Sequence, residues 1–252
     1  MRDQLRDKAY YDKYIAMTKS FIEEDLQELD SYKDEGKASC VFSLVQYTHG
    51  VIVMRYSRGD TIESMRESVQ KSYEILQLRR KVLNSVKIGE RTMQMWENLS
   101  LGELYHYLTL LSFMVSLHFP AEDILNVLEL VDHKDEDALL ELVAAYFGKK
   151  EANAVQVSKY PKVHGKLVAL IQAPPSEQPK LLKKYVERWY QLNKPIPWYD
   201  FHKGAEGAYE GYWCFEVALV VMLLGIDDQA VTAHPHYPAD LVSHYRQQTH
   251  PQ

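Results

Sequence analysis

An all-α fold is predicted by three features of this chain. Apolar residues recur every three to five positions along most of its length, Gly and Pro punctuate those runs, and no alternating strand pair or Asn-Gly hairpin interrupts them. Roughly ten helices are expected, in two helical halves sharing an extended core: an N-terminal domain over 1–125 and a C-terminal domain over 126–252, with a central buried helix at 208–224.

The first helix is predicted over about 3–33, with Tyr10, Tyr14, Met17, Phe21, Leu26 and Leu29 as its inward stripe and Gly36 beyond its end. A second, over about 37–56, carries Val41, Leu44, Val45, Thr48, Ile52 and Val53. Its β-branched run Val51-Ile52-Val53 would suit a strand, but the length of the segment and its periodic flanks favour helix. Arg58-Gly59-Asp60 breaks it. Asp60, with Glu63 three positions later, is placed to open a third helix through Met65, Val69, Tyr73, Leu76 and Leu78 to about residue 84.

Ser100 followed by Glu103 has the spacing of a capping box ahead of an apolar helix to about residue 120, with Leu104, Leu108, Leu111, Val115 and Phe119. Pro120 starts the next helix, over 121–130, and another over 136–147 stops at Gly148. A basic connector over 149–166 leads to a helix centred on Val168, which Pro174-Pro175 ends. The segment 176–192 places Leu181, Tyr185, Val186 and Trp189 inward, ahead of the proline-broken loop from Asn193 to Trp198. Between Tyr212 and Leu224 the one charged side chain is Glu216, so every face of that helix must be buried; Gly225 follows where a left-handed residue commonly ends a helix, and Asp227 or Asp228 can cap what comes next.

The 252 residues are 46% hydrophobic and 25% charged, which excludes disorder as the main state. The charged N-terminus lacks the apolar core of a secretory signal, and the longest apolar runs, near 108–119 and 217–226, are too short to span a bilayer, so a cytoplasmic protein is expected. Cys40 and Cys214 sit among apolar neighbours, as buried free thiols do, and no Cys/His spacing of a metal site is present.

Charge is unevenly spread. Glu23, Glu24, Asp25, Glu28, Asp30, Asp34 and Glu35 stand against one Lys33, and Glu122, Asp123, Glu129, Asp132, Asp135, Glu136, Asp137 and Glu141 against one Lys134, whereas 149–194 holds ten Lys and Arg against Glu151, Glu177 and Glu187. Solvated helix faces account for any single run; together the acidic faces suit steering of a cationic partner. Glu216, a carboxylate in an apolar helix, requires a cation or several donors, with Arg55 and Arg58 as candidate partners.

Wording as well as pattern is informative. The segment 209–240, YEGYWCFEVALVVMLLGIDDQAVTAHPHYPAD, runs Tyr/Trp, Cys-Phe-Glu, apolar helix, Leu-Gly-Ile-Asp-Asp, a spacer and His-Pro-His-Tyr-Pro. It resembles the C-terminal domain of the PoNi immunity proteins, with Trp213 and Gly225 as structural positions. Arg2-Asp3, the run from Tyr10 to Ile15 and the run from Arg55 to Asp60 resemble that family's N-terminal domain. The resemblance implies a non-enzymatic protein that binds and neutralises a PoNe-type DNase toxin, of the kind delivered by type VI secretion into competing bacteria. It implies no catalytic residues and no cofactor.

On that basis the expected toxin contacts are Trp198, Tyr199, Asp200, Glu206, Tyr209 and Glu210 near the C-terminal loop, together with Asp132, Asp135, Glu136 and Asp137. For Trp198 and Tyr199 the competing expectation is that they plug a domain seam. Two other function classes are weighed. His234 and His236, with Asp200, His202 or Glu206, would be the ligands of a metal-dependent enzyme, but Pro235 separates the histidines and no acid stands at a ligand spacing. Lys159, Lys162, Lys166, Lys180, Lys183, Lys184 and Arg188 around Tyr160, Tyr185 and Trp189 would form a nucleic-acid face, which the net charge of −6 opposes. There is no GxSxG, Walker or dinucleotide-binding pattern, and Ser43, Ser112 and Ser116 read as small packing residues. A membrane or direct nucleic-acid partner is not expected, and a homodimer is left open.

Overall fold

The computed structural model describes residues 1–131, 136–148, 156–204 and 206–249. Its described residues form twelve α-helices and no strand, so the fold is all-α as the periodicity predicts. The chain divides into two compact units, one of residues 1–98 with 200–211 and one of residues 99–199 with 212–252.

In the first unit, α1 (Lys8–Glu28) begins five residues later than expected, because the Asp7 side chain caps it by accepting the Tyr10 N–H. The residues before it bend at 4–6, and the Arg2 and Asp3 N–H groups donate to the Ser57 carbonyl. A 3-10 turn, Leu29–Ser31, follows α1. The helix α2 (Asp34–Arg58) takes in the Val51-Ile52-Val53 run and ends on Gly59 at φ 98°, a left-handed conformation that Gly alone adopts cheaply. Asp60 does not cap the next helix. Its carboxylate is taken by Arg55 and Arg58, and α3 (Arg66–Leu83) starts only after a 3-10 turn, Glu63–Met65. A helix that periodicity did not disclose, α4 (Glu90–Glu97), closes the segment.

Both α1 and α3 pack on α2. The buried stripe of α1 is Tyr11, Tyr14, Ile15 and Ile22, not the expected Tyr10, Met17 and Phe21. Apolar residues lie on two adjacent stripes of this helix, and docking on one neighbour buries only one of them. Met17 and Phe21 are each left 38% exposed.

In the second unit, Ser100 and Glu103 form the expected reciprocal capping box at the start of α5 (Leu101–Ser116). There follow α6 (Ala121–Leu130), α7 (Ala138–Tyr146), α8 (Pro161–Gln172) and α9 (Gln178–Val186). The run expected as one helix over 176–192 breaks at Glu187 and Arg188 into α9 and α10 (Trp189–Leu192). Next comes α11 (Phe215–Leu224), shorter than the expected 208–224, since Gly207 and Gly211 hold positive φ and the approach to the helix is irregular. Phe215 to Leu223 are all buried, Glu216 included, and α5, α7, α8 and α12 (Ala239–Thr249) pack around them. Gly225 ends α11 at φ 64° with its N–H on the Val221 carbonyl, as expected. Both cysteines are buried and free. No helix among the described residues is long and apolar enough to cross a membrane.

Candidate functional site

Asp3 organises the N-terminal end of the first unit. Its Oδ2 accepts from the Tyr11 hydroxyl at 2.9 Å and from the N–H groups of Leu5 and Arg6 at 2.9 and 3.1 Å, and its Oδ1 accepts from the Tyr209 hydroxyl at 2.6 Å. A buried carboxylate is thus held by four neutral donors, which burial otherwise makes costly. Burial, with Asp3 adjacent, pushes the Tyr11 hydroxyl well above its ordinary titration range. Tyr209, expected as an exposed contact, is instead buried because its hydroxyl serves Asp3.

The other loop residues of this unit are exposed or half-buried. Glu206 is exposed and accepts from Lys13 Nζ at 3.1 Å and from the Tyr14 hydroxyl at 3.0 Å; the Lys13 bond holds its carboxyl below the usual range. Asp200, left-handed at φ 63°, meets Lys203 Nζ at 3.1 Å. The side chain of half-buried Glu210 has no donor among the described residues; its carboxylate lies against α2 at Gly50, where an added Cβ would come within 2.4 Å of Oε1, and burial pushes its pKa up to about 7.

Arg55 and Arg58 are spent locally. Arg55 Nε and Arg58 Nη2 both meet Asp60 Oδ2 at 2.7 Å, Arg58 Nε meets Asp60 Oδ1 at 2.7 Å, and Arg58 Nη1 meets Asp12 at 2.8 Å. The expectation that these arginines neutralise Glu216 is therefore corrected. In the second unit Glu216 Oε1 accepts from the Trp189 indole N–H at 2.6 Å and more distantly from the Tyr185 hydroxyl at 3.5 Å, while Oε2 is buried without a partner among the described residues. Burial pushes the Glu216 carboxyl up to about 7. The stabilising donors are aromatic and neutral, not cationic.

Trp198 and Tyr199 are half-buried in an aromatic group rather than free anchors. Trp198 stacks on Trp189 with ring centroids 5.6 Å apart and tilts against Tyr105 and Tyr212, and Tyr199 stacks on Tyr190 at 4.6 Å. Trp213 is buried and its carbonyl accepts from the Tyr105 hydroxyl. Of the second acidic run, Asp132 and Asp135 lie outside the described residues. Glu136 is exposed and pairs with Lys159 at 2.6 Å. Asp137, expected as a contact, is fully buried: it caps α7 through the Leu139 N–H and accepts from Ser158 Oγ and the Lys159 N–H.

His234 and His236 form a turn. The His236 N–H donates to His234 Nδ1, the rings stand 5.6 Å apart, and His236 Nδ1 sits 3.0 Å from the Tyr212 carbonyl. Among the described residues no three His, Cys, Asp or Glu side chains converge to hold a metal. In the basic segment Tyr185 and Trp189 are core residues, and Lys183 pairs with Glu187.

Comparison with known proteins finds a family match in each half of the sequence. The profile of the PoNe immunity protein (PoNi) N-terminal domain matches residues 2–128, and that of the PoNi C-terminal domain matches residues 135–241. The chain belongs to the PoNi family. No curated relative matches this PoNi chain. A crystal structure of protein PA2201 from Pseudomonas aeruginosa shares its fold, with a TM-score of 0.76 at 19% identity over 99% of this chain and 92% of that one.

Within this PoNi protein the acidic run of α1 and α2 is the one left most open. Glu23, Glu24, Glu28, Asp30 and Glu35 are exposed, and the ion pair formed there is Lys37 to Asp30 at 3.8 Å. Met17 and Phe21 beside it are the surface residues that the periodicity assigned to the core; their signal in the sequence was a second apolar stripe on α1, with Tyr11, Ile15 and Ile22 already filling the first.

Proposed function

We propose that this PoNi protein binds a cognate PoNe-type nuclease toxin stoichiometrically in the cytoplasm and blocks its active site or DNA groove, performing no chemistry of its own. The observation that carries this reading is the match of both halves of the chain to the two domains of one immunity family. The charge pattern supports it. A nuclease presents positive surface to hold phosphates, and an inhibitor with unneutralised acids gains association rate and orientation from imitating them.

The test is co-expression with a candidate PoNe-type nuclease, followed by co-purification and a plasmid cleavage assay. A one-to-one complex that no longer cuts DNA is expected. A nuclease that neither copurifies nor loses activity, at protein excess, overturns the reading.

A further inference from the structure

The outer face of α1 carries two large apolar side chains that the fold leaves uncovered. Met17 and Phe21 are one helical turn apart, and each is 38% exposed. The Phe21 ring is steadied by Tyr47 of α2, with centroids 5.9 Å apart, so it is presented in a set position rather than left to rotate. Glu24 and Glu28 continue the same stripe three and seven residues beyond Phe21. Both are exposed; Glu28 accepts from the Tyr32 hydroxyl at 2.8 Å, and among the described residues no cation pairs with Glu24.

We propose that this face, with Phe21 and Met17 as apolar anchors and Glu24 and Glu28 as its charged rim, is where the cationic surface of the nuclease toxin docks. The proposal rests on the toxin-binding reading above. Charge decides between this face and its rivals in the molecule. Met1 and Leu5 are also exposed, but they share their depression with Arg6 and Lys13 as well as Asp7 and Glu206. The loop acids Asp200 and Glu206 are already compensated by Lys203 and Lys13. The α1 face joins partly uncovered apolar area to exposed acids, of which Glu24 has no cation paired with it among the described residues, and this is the composition of a hot spot for a positively charged protein.

The experiment measures affinity for the catalytically inactivated PoNe-type nuclease by calorimetry, with thermal unfolding of each variant as a check on folding. Phe21→Ala is expected to weaken binding about 30-fold, and the double reversal Glu24→Lys, Glu28→Lys about 100-fold, with unfolding midpoints lowered by no more than a few degrees, because the Phe21 ring loses its contact with Tyr47 and Glu28 its bond from Tyr32 but neither is a core residue. The reversal is also expected to flatten the dependence of affinity on salt. Asp200→Lys combined with Glu206→Lys is expected to bind as the parent does. The proposal is overturned if the α1 variants bind like the parent, if the loop variant is the one that loses affinity, or if Phe21→Ala only dissociates a homodimer seen by sedimentation. Absence of binding by the parent protein would overturn the toxin-binding reading itself, whereas parent binding with unaffected α1 variants would overturn the face alone.

Discussion

Glu216 makes the stability of this protein depend on pH in a direction opposite to most carboxylates. Its carboxyl titrates near 7 in the native protein against an ordinary 4.5, because burial disfavours the charged form more than the Trp189 and Tyr185 donors favour it. The native state therefore holds this proton more tightly than the unfolded chain. Its contribution is fully present below the unfolded value, declines as pH rises toward 7, and is level above that. The interval of ~2.5 pH units at about 1.4 kcal/mol per unit amounts to about 3 kcal/mol. Glu216→Gln keeps an acceptor for the Trp189 indole and cannot ionise, so its stability relative to the parent is expected to improve by about 3 kcal/mol between pH 4.5 and pH 8. Glu216→Ala leaves the Trp189 indole N–H unpaired beside a cavity, while the Tyr185 hydroxyl keeps the Val163 carbonyl, and is expected to cost about 2–5 kcal/mol at pH 5, with the deficit shrinking at higher pH. Urea unfolding followed by tryptophan fluorescence at each pH gives both differences. Parallel pH profiles for the parent and the Gln variant would show that Glu216 is not a desolvated carboxylate, and the reasoning would fail.

Two other substitutions test local geometry. Asp137→Ala removes three bonds, from the Leu139 N–H, Ser158 Oγ and the Lys159 N–H, and is expected to cost about 2–4 kcal/mol in chemical denaturation; a change under about 0.5 kcal/mol would contradict its role as a buried cap. Gly50→Ala should gain up to about 1 kcal/mol of helix propensity, but its Cβ would lie 2.4 Å from Glu210 Oε1, so a net loss is expected in the parent and a gain in a Glu210→Ala background. Calorimetric melting of the four proteins measures that coupling, and additive effects would refute it.

The sequence made the helical class, the Ser100 capping box, the Gly225 stop and the burial of α11 legible, because each follows from periodicity or from a residue with one dominant conformational preference. The turn of α1 about its own axis was not legible. Tyr11, Ile15 and Ile22 compete with Met17 and Phe21 for the core, and only the docking on α2 chooses between them. The partner of Glu216 was missed for a related reason: an arginine search follows charge, whereas the indole N–H of Trp189 supplies a donor that carries none. Tyr209 and Asp137 were misplaced because polar groups read as surface in a sequence, although a hydroxyl that meets Asp3 or a carboxylate that caps α7 is better served inside. Residues 200–211 belong to the unit of residues 1–98. That membership rests on contacts such as Tyr209 to Asp3 and the Ser57 hydroxyl to the Glu210 carbonyl, distant in sequence and invisible to any local pattern.

The same preference for neutral donors bears on function. Asp3, Asp137 and Glu216, three of the buried carboxylates, are held by hydroxyl, indole and backbone N–H groups, none of which carries a charge that salt can screen, whereas buried Asp228 accepts from the Arg246 guanidinium at 2.6 Å as well as from the Tyr237 hydroxyl. The acids that remain uncompensated, Glu23 and Glu24 among them, are on the surface, where screening acts in full. Interior carboxylates thus secure the helices through short-range bonds, while the exposed α1 and α2 acids act outward over a Debye length of about 8 Å at physiological salt. If toxin docks on that outer face as proposed, reversing its charge alters what the protein attracts without disturbing the bonds that hold the fold together.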